Sequence, residues 1–196
     1  MRRAAIGILL ALTGCASGGG TPTTIAPRPN LKAADYYPLS TGWKWAYDLE
    51  KDGLNVLATY AVVERDGDVA VVQAGDERLT YAISPQGVAQ KEGMAVGDFV
   101  IRDPLTVGAS WAVAGGRAKI VAVDQEVNIE SLGRLAGCVV VEVAREEPSR
   151  ITRTTFAPDV GPVALELQVL TGQKYVTTTR AQLRAVTKPG DVDPFH

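Results

Sequence analysis

Hydrophobic and polar residues alternate along most of this chain. Trp43, Trp45, Tyr47 and Leu49 interleave with Lys44, Ala46, Asp48 and Glu50, a period of two that predicts a half-buried β-strand. Asp52-Gly53 then signals a turn, and Val56 to Glu64 is β-branched and aromatic enough for the return strand. Arg65-Asp66-Gly67-Asp68 turns the chain into Val69 to Gln73. Further strands are predicted at Arg78 to Ile83, Val88 to Lys91, Phe99 to Arg102 and Trp111 to Val113. Longer ones follow at Arg117 to Glu130, Cys138 to Glu146, Ile151 to Phe156, Val163 to Leu170 and Gln173 to Val186. No segment beyond the first residues has a 3.6-residue period, and Leu31 to Asp35 fits one helical turn at most.

About ten strands joined by Gly, Pro, Asn and Asp turns predict an all-β fold: an antiparallel sheet curled into a barrel, a half-barrel or a two-layer sandwich. Parallel pairing would require crossover helices, for which the sequence has no room. Val163, Leu165, Leu167 and Val169 alternate with Ala164, Glu166 and Gln168, so one face is core and the other wet. Lipid-embedded barrels alternate too, but the charges on the polar phase and the lack of aromatic girdles favour a domain in water.

One nine-residue pattern occurs twice. Pro38-Leu39-Ser40-Thr41-Gly42-Trp43-Lys44-Trp45-Ala46 and Pro104-Leu105-Thr106-Val107-Gly108-Ala109-Ser110-Trp111-Ala112 share P-L-[ST]-x-G-x-x-W-A. Pro sets φ, Gly permits a sharp bend, and Trp pins the following strand by burying a large area. The pattern reads as one lead-in to a strand used twice. Duplication of a half-domain is the weaker reading because the flanks do not extend the match, and an aromatic ligand site is weaker still.

The chain opens differently. Arg2 and Arg3 precede an apolar run from Ala4 to Leu12, then Leu12-Thr13-Gly14-Cys15. A positive region, a short apolar region and small residues describe an export signal. The run is about half of the roughly 20 apolar residues that span a bilayer. Leu12 to Cys15 resembles the lipobox of bacterial lipoproteins. That resemblance implies cleavage after Gly14 and diacylation of Cys15, with Ala16 directing the protein to the outer membrane rather than retaining it in the inner one. The expected organisation is a signal peptide over 1–14, lipidated Cys15 and a Gly/Pro/Thr-rich tether over 15–32, one β domain over 33–187, and a disordered tail over 188–196. Such a tether has a root-mean-square reach of roughly 20–25 Å.

Composition fits one exported domain. The 196 residues are 46% hydrophobic and 21% charged, ordinary values for a globular protein. Without residues 1–14 there remain 18 Lys+Arg against 22 Asp+Glu, a formal charge of −4, and no electrostatic footprint for nucleic acid. With Cys15 lipidated, Cys138 is the sole thiol and no intramolecular disulfide can form.

Catalytic constellations are not legible, so no enzyme, no cofactor and no metal site is expected. The sole histidine, His196, is the last residue, where packing cannot hold a general base in place. Cys138 begins the apolar run Cys138-Val139-Val140-Val141 and reads as a small buried hydrophobe. Asp66-Gly67-Asp68 lacks the further oxygen ligands of a calcium loop and reads as a hairpin turn. Glu146-Glu147 and the Asp48/Glu50 pair could serve glycoside hydrolysis but read as solvated strand ends.

Tyr36-Tyr37-Pro38-Leu39-x-x-Gly42-x-x-Trp45-x-Tyr47 resembles the opening strand of a group of uncharacterised bacterial lipoproteins and exported all-β domains. Leu132 to Val140 is similar to their G-x-F-x-x-C-x-x-V segment, with Leu135 in place of the aromatic. Phe156 to Val163 is similar to their A-P-G-V-G-x-V loop, with Asp159 at the usual glycine. The resemblance implies antiparallel strands and an envelope location, and no activity. The expected function is a non-enzymatic lipoprotein, held at the periplasmic face of the outer membrane by its anchor, that scaffolds or binds an envelope protein partner. The alternative is a half-barrel carrier of a lipid or other apolar ligand. A carrier needs an unfilled apolar cavity; a scaffold needs a filled core and an exposed apolar or edge-strand patch.

Overall fold

In a computed structural model, described for residues 30–91 and 97–191, twelve strands form one antiparallel sheet curled into a nearly closed barrel. They are β1 (Lys44–Lys51), β2 (Leu54–Asp66), β3 (Val69–Ala74), β4 (Glu77–Ser84), β5 (Gly87–Gln90), β6 (Phe99–Arg102), β7 (Ser110–Val113), β8 (Gly116–Ile129), β9 (Gly133–Arg145), β10 (Arg150–Ala157), β11 (Gly161–Thr171) and β12 (Lys174–Thr187). Their order is β6-β5-β4-β3-β2-β1-β12-β11-β10-β9-β8-β7. Each strand lies beside its neighbours in sequence, as in an up-and-down barrel. The first and last strands are joined: β1 pairs with β12 from Lys44↔Thr187 to Lys51↔Thr179. The break falls between β6 and β7, neither of which has a second strand neighbour among the described residues.

Period-two alternation decides which side chains enter the barrel. Trp45, Tyr47 and Leu49 on β1 lie opposite Tyr60, Ala58 and Val56 on β2. Tyr47 lies opposite Leu183 on β12. Trp45, Tyr47 and Leu183 build the core with Val72, Val88, Ile101, Ile120, Val141, Phe156 and Val163, Tyr60 packs against it, and Trp45 is 1% exposed. Asp52 (φ 51°) and Gly53 (φ 78°) both take the left-handed conformation, which a two-residue type I′ hairpin requires.

One end of the barrel is plugged from within the chain. A single 3-10 turn, Ala33–Tyr36, lies across it where the sequence allowed one helical turn. Tyr36 Oη donates to the Gly137 carbonyl at 2.8 Å, Asp159 N–H donates to the Asp35 carbonyl at 2.9 Å, and Ala33 N–H reaches the Asp103 carboxylate at 3.3 Å. The next residue, Tyr37, drives its ring among Trp45, Tyr81 and Phe156 at centroid distances of 5.9, 5.3 and 6.2 Å, within the range of favourable aromatic pairs.

The repeated lead-in is the same structure twice. Gly42 N–H bonds the Val62 carbonyl at 3.0 Å, Val62 N–H bonds the Trp43 carbonyl at 2.8 Å, and Trp43 N–H bonds the Ser40 carbonyl at 3.2 Å. Gly108 to Ile120 at 2.8 Å, Ile120 to Ala109 at 2.9 Å and Ala109 to Thr106 at 3.0 Å repeat that set at the equivalent positions. Gly42 and Gly108 have φ of 95° and 92°, a region that favours glycine. Both indoles donate to a carbonyl, Trp45 to Val160 at 2.6 Å and Trp111 to Phe99 at 3.0 Å.

Three boundaries are set by local structure. Strand β9 starts at Gly133, five residues before Cys138, through a stretch from Leu135 to Val139 that is buried in succession and so shows no alternation. At the inner end of the tether, Leu31 already packs against the core. The segment read as a disordered tail begins ordered, with Lys188 N–H on the Asp191 carboxylate at 2.9 Å and Lys188 Nζ 5.7 Å from the Trp43 ring centroid. The segment read as a signal peptide, Cys15, most of the segment read as a tether and His196 lie outside the described residues.

Candidate interaction site

The residues singled out for chemistry are not brought together. Cys138 is fully buried, and burial pushes its thiol up to about 11, the opposite of an activated nucleophile. Asp66-Gly67-Asp68 forms the β2–β3 turn, where Arg65 Nε donates to the Gly67 carbonyl at 2.6 Å. Glu146 and Glu147 are exposed in the β9–β10 turn. Asp48 faces outward and pairs with Arg184 at 3.1 Å. Among the described residues, no cluster of His, Cys, Asp and Glu could hold a metal ion.

Sequence reasoning missed an arrangement on the outer face. Cross-strand register aligns Lys119, Glu142, Arg153, Glu166, Arg180 and Glu50 in one row over β8, β9, β10, β11, β12 and β1. Signs alternate at every step, the arrangement in which neighbouring strands attract rather than repel. Arg153 lies 2.8 Å from Glu142, and Arg180 lies 4.0 Å from Glu166. Glu166 also accepts from Thr177 Oγ1 at 2.6 Å and Gln168 Nε2 at 3.3 Å. The Thr177 bond is the main cause that holds its carboxyl below the ordinary carboxylate range, with Gln168, Arg180 and Arg153 adding to it. The stretch from Arg153 to Glu50 floors a shallow trough of 490 Å³ that includes Asn55, Thr155 and Gln182. Its charges largely satisfy one another, and Glu166, kept ionised, is unsuited to general-acid work. The signal was present as single charges on separate strands, but only register aligns them.

Exposed apolar residues concentrate elsewhere. Leu54 (69% exposed), Val56 (51%) and Leu57 (54%) stand on β2 just after the first hairpin, and Leu170, Tyr175 and Val176 flank the β11–β12 hairpin. The two hairpins are neighbours, since β1 pairs with β12 and Asp52 N–H bonds the Thr178 carbonyl at 3.2 Å. Strand directions put this apolar rim at the end opposite the 3-10 turn. The core between the ends is filled by the aromatic cluster around Tyr37.

No protein-family model matches the chain, and no curated protein matches it in sequence. Among solved structures, a protein from Bacteroides fragilis NCTC 9343, provisionally assigned as exported and described as having a YmcC-like fold, is similar with a TM-score of 0.50. The match has 12% sequence identity and covers 78% of this chain and 98% of that one. The fold is YmcC-like. A provisionally assigned lipoprotein from Parabacteroides distasonis ATCC 8503 aligns at 10% identity with a TM-score of 0.43, over 78% of this chain and 98% of its own. At 12% identity the likeness to the Bacteroides fragilis protein speaks for the fold alone.

Proposed function

We propose that this chain is a non-enzymatic lipoprotein, anchored through Cys15 to the periplasmic face of the outer membrane, that holds a protein partner in the cell envelope. The observation that carries the reading is the apolar rim made by Leu54, Val56, Tyr175 and Val176; such patches mark interaction surfaces on soluble proteins. The chain enters the barrel at the plugged end, so the tether would attach there and the rim would point away from the membrane. Strands of 13 or 14 residues span about 40–45 Å, which sets the rim well beyond the tether's attachment point.

Two experiments test it. Cys15→Ser is expected to leave the precursor uncleaved and free of radiolabelled fatty acid; label entering the variant would contradict the anchor. A photo-crosslinking residue at Val56 or Tyr175 is expected to give one discrete adduct in cells, lost when Leu54 and Val176 become Asp. The same adduct from Gln182, on the outer trough, would refute the rim as the docking surface.

The carrier reading keeps one supporting observation. Leu49, Leu165, Leu167 and Val169 lie on the core-facing side of their strands yet are only half-buried, leaving apolar surface inside the hairpin end. A lipid mass retained by the purified protein in native mass spectrometry would favour this reading over the scaffold.

A further inference from the structure

Ladder alternation fixes which main-chain groups look into the break between β6 and β7. Ile120 donates to the Ala109 carbonyl and accepts from Gly108. Two residues on, the bonded partners are therefore Trp111 with Ala118, then Val113 with Gly116. The N–H and C=O groups of Ser110 and Ala112 consequently point away from β8 and into the seam, and Ala114 continues that alternation. On β6, Asp103 N–H bonds the Gln86 carbonyl, which places Ile101 in the bonded pair with Val88 and turns Arg102 toward the seam.

Side chains stand where a neighbouring strand would. The Trp111 indole donates to the Phe99 carbonyl at 3.0 Å. The Asp98 carboxylate accepts from Ala114 N–H at 2.8 Å and is held by Arg145 at 3.1 Å. An indole N–H replaces a strand amide, and a carboxylate replaces a strand carbonyl. Both bridges lie at a joint where no backbone ladder pairs β6 with β7 among the described residues.

We propose that the β6–β7 seam receives one extended strand of a partner polypeptide, bonded to the main chain of Ser110 and Ala112 on β7 and of Arg102 on β6. This goes beyond the rim reading and does not depend on it. Open sheet edges bind peptides through main-chain hydrogen bonds, with alternate side chains supplying selectivity. The two edges are four residues long, which fits a segment of similar length. The inward-facing side chains of the two edges, Trp111, Ile101 and Val113, are apolar and belong to the core, so a segment continuing the sheet there carries apolar side chains at alternate positions. Because β6 and β7 run antiparallel, the inserted strand lies parallel to one and antiparallel to the other.

The test uses the full chain and a fluorescein-labelled heptapeptide of alternating valine and threonine between terminal lysines. Saturable anisotropy is expected, along with slower deuterium exchange at the Ser110, Ala112 and Arg102 amides. A copy of the peptide N-methylated at alternate residues is expected not to bind. Ala112→Pro, tolerable on an edge strand, should weaken binding roughly tenfold by removing a seam-facing donor. Trp111→Phe, which frees the Phe99 carbonyl, should tighten it, and Leu54→Asp on the rim should leave it unchanged. Equal binding of the N-methylated peptide, or unchanged exchange at the three amides, would overturn the proposal even if Ala112→Pro failed to fold. A wild-type dimer dissolved by Ala112→Pro would overturn it too, by showing the seam filled by a second copy.

Discussion

Two half-barrels, β1–β6 and β7–β12, meet twice in this molecule, and the two joints are built differently. Where β1 meets β12, eight register pairs run the full length of β1. Where β6 meets β7, the bridges are an indole, a carboxylate and a guanidinium. Both joints begin with the same lead-in, hydrogen bonds included, so the lead-in does not decide whether a joint closes. Strand length does: β1 and β12 have 8 and 14 residues, whereas β6 and β7 have 4 each. A four-residue edge offers few ladder bonds to offset the order that pairing imposes.

The sharpest way to break the comparison is to remove each tryptophan in turn. Trp45→Ala empties the centre of the closed joint, where the ring stacks 5.7 Å from Trp43 and meets Tyr37. It is expected to cost about 3–5 kcal/mol in urea unfolding. Trp111→Ala is expected to cost less, because its indole seals a joint with no strand pairing to lose. Equal losses would mean that the seam contributes as much cohesion as the ladder.

Alkaline pH attacks the two regions unequally. Burial pushes the Cys138 thiol up to about 11 and raises the Tyr37 and Tyr47 phenols well above their ordinary range. In the unfolded chain these groups release their protons nearer 9 to 10, so over that range the unfolded state binds fewer protons and stability falls as pH rises. The contribution is complete below about pH 9 and is lost between about 9 and 11 for Cys138, a change of about 2–3 kcal/mol. The tyrosines extend the loss to higher pH. Cys138→Ala is expected to flatten the first part of this decline in urea titrations at pH 8, 9 and 10. Tyr47 lies in β1, whereas the seam's bridges carry neither phenol nor thiol, so exchange at β1 should accelerate before exchange at β7. The reverse order would place the weak point at the seam.

The sequence made the strands legible because one face of each is core: the alternation from Trp43 to Glu50 maps onto β1, and Phe99 to Arg102 is β6 as read. It also separated short strands from long ones, which turned out to separate the open joint from the closed one. The closure itself was not legible. Whether β1 finds β12 depends on lateral register between strands more than 120 residues apart, which no local period records. The same limit hid the row from Lys119 to Glu50, whose members look like isolated charges until six strands align. The start of β9 was missed for a different reason. Leu135, Ala136, Gly137, Cys138 and Val139 are buried in succession, so both sides of the strand are covered there and the period of two disappears.

The finest comparison lies in the two glycines of the repeated lead-in. Gly42 and Gly108 share a left-handed backbone with φ of 95° and 92°, which a residue with a Cβ adopts at a cost of about 1–2 kcal/mol. An added Cβ at Gly42 would meet Pro189 at 3.5 Å, an ordinary contact, and at Gly108 it would meet open space. Local strain therefore dominates at both sites, and Gly42→Ala and Gly108→Ala are expected to destabilise to within about 0.5 kcal/mol of each other. A clearly larger loss at Gly42 would show that the closed joint constrains its lead-in more tightly than the seam does. Matched losses would show that each lead-in is a self-contained device, indifferent to whether the strand it starts has one neighbour or two.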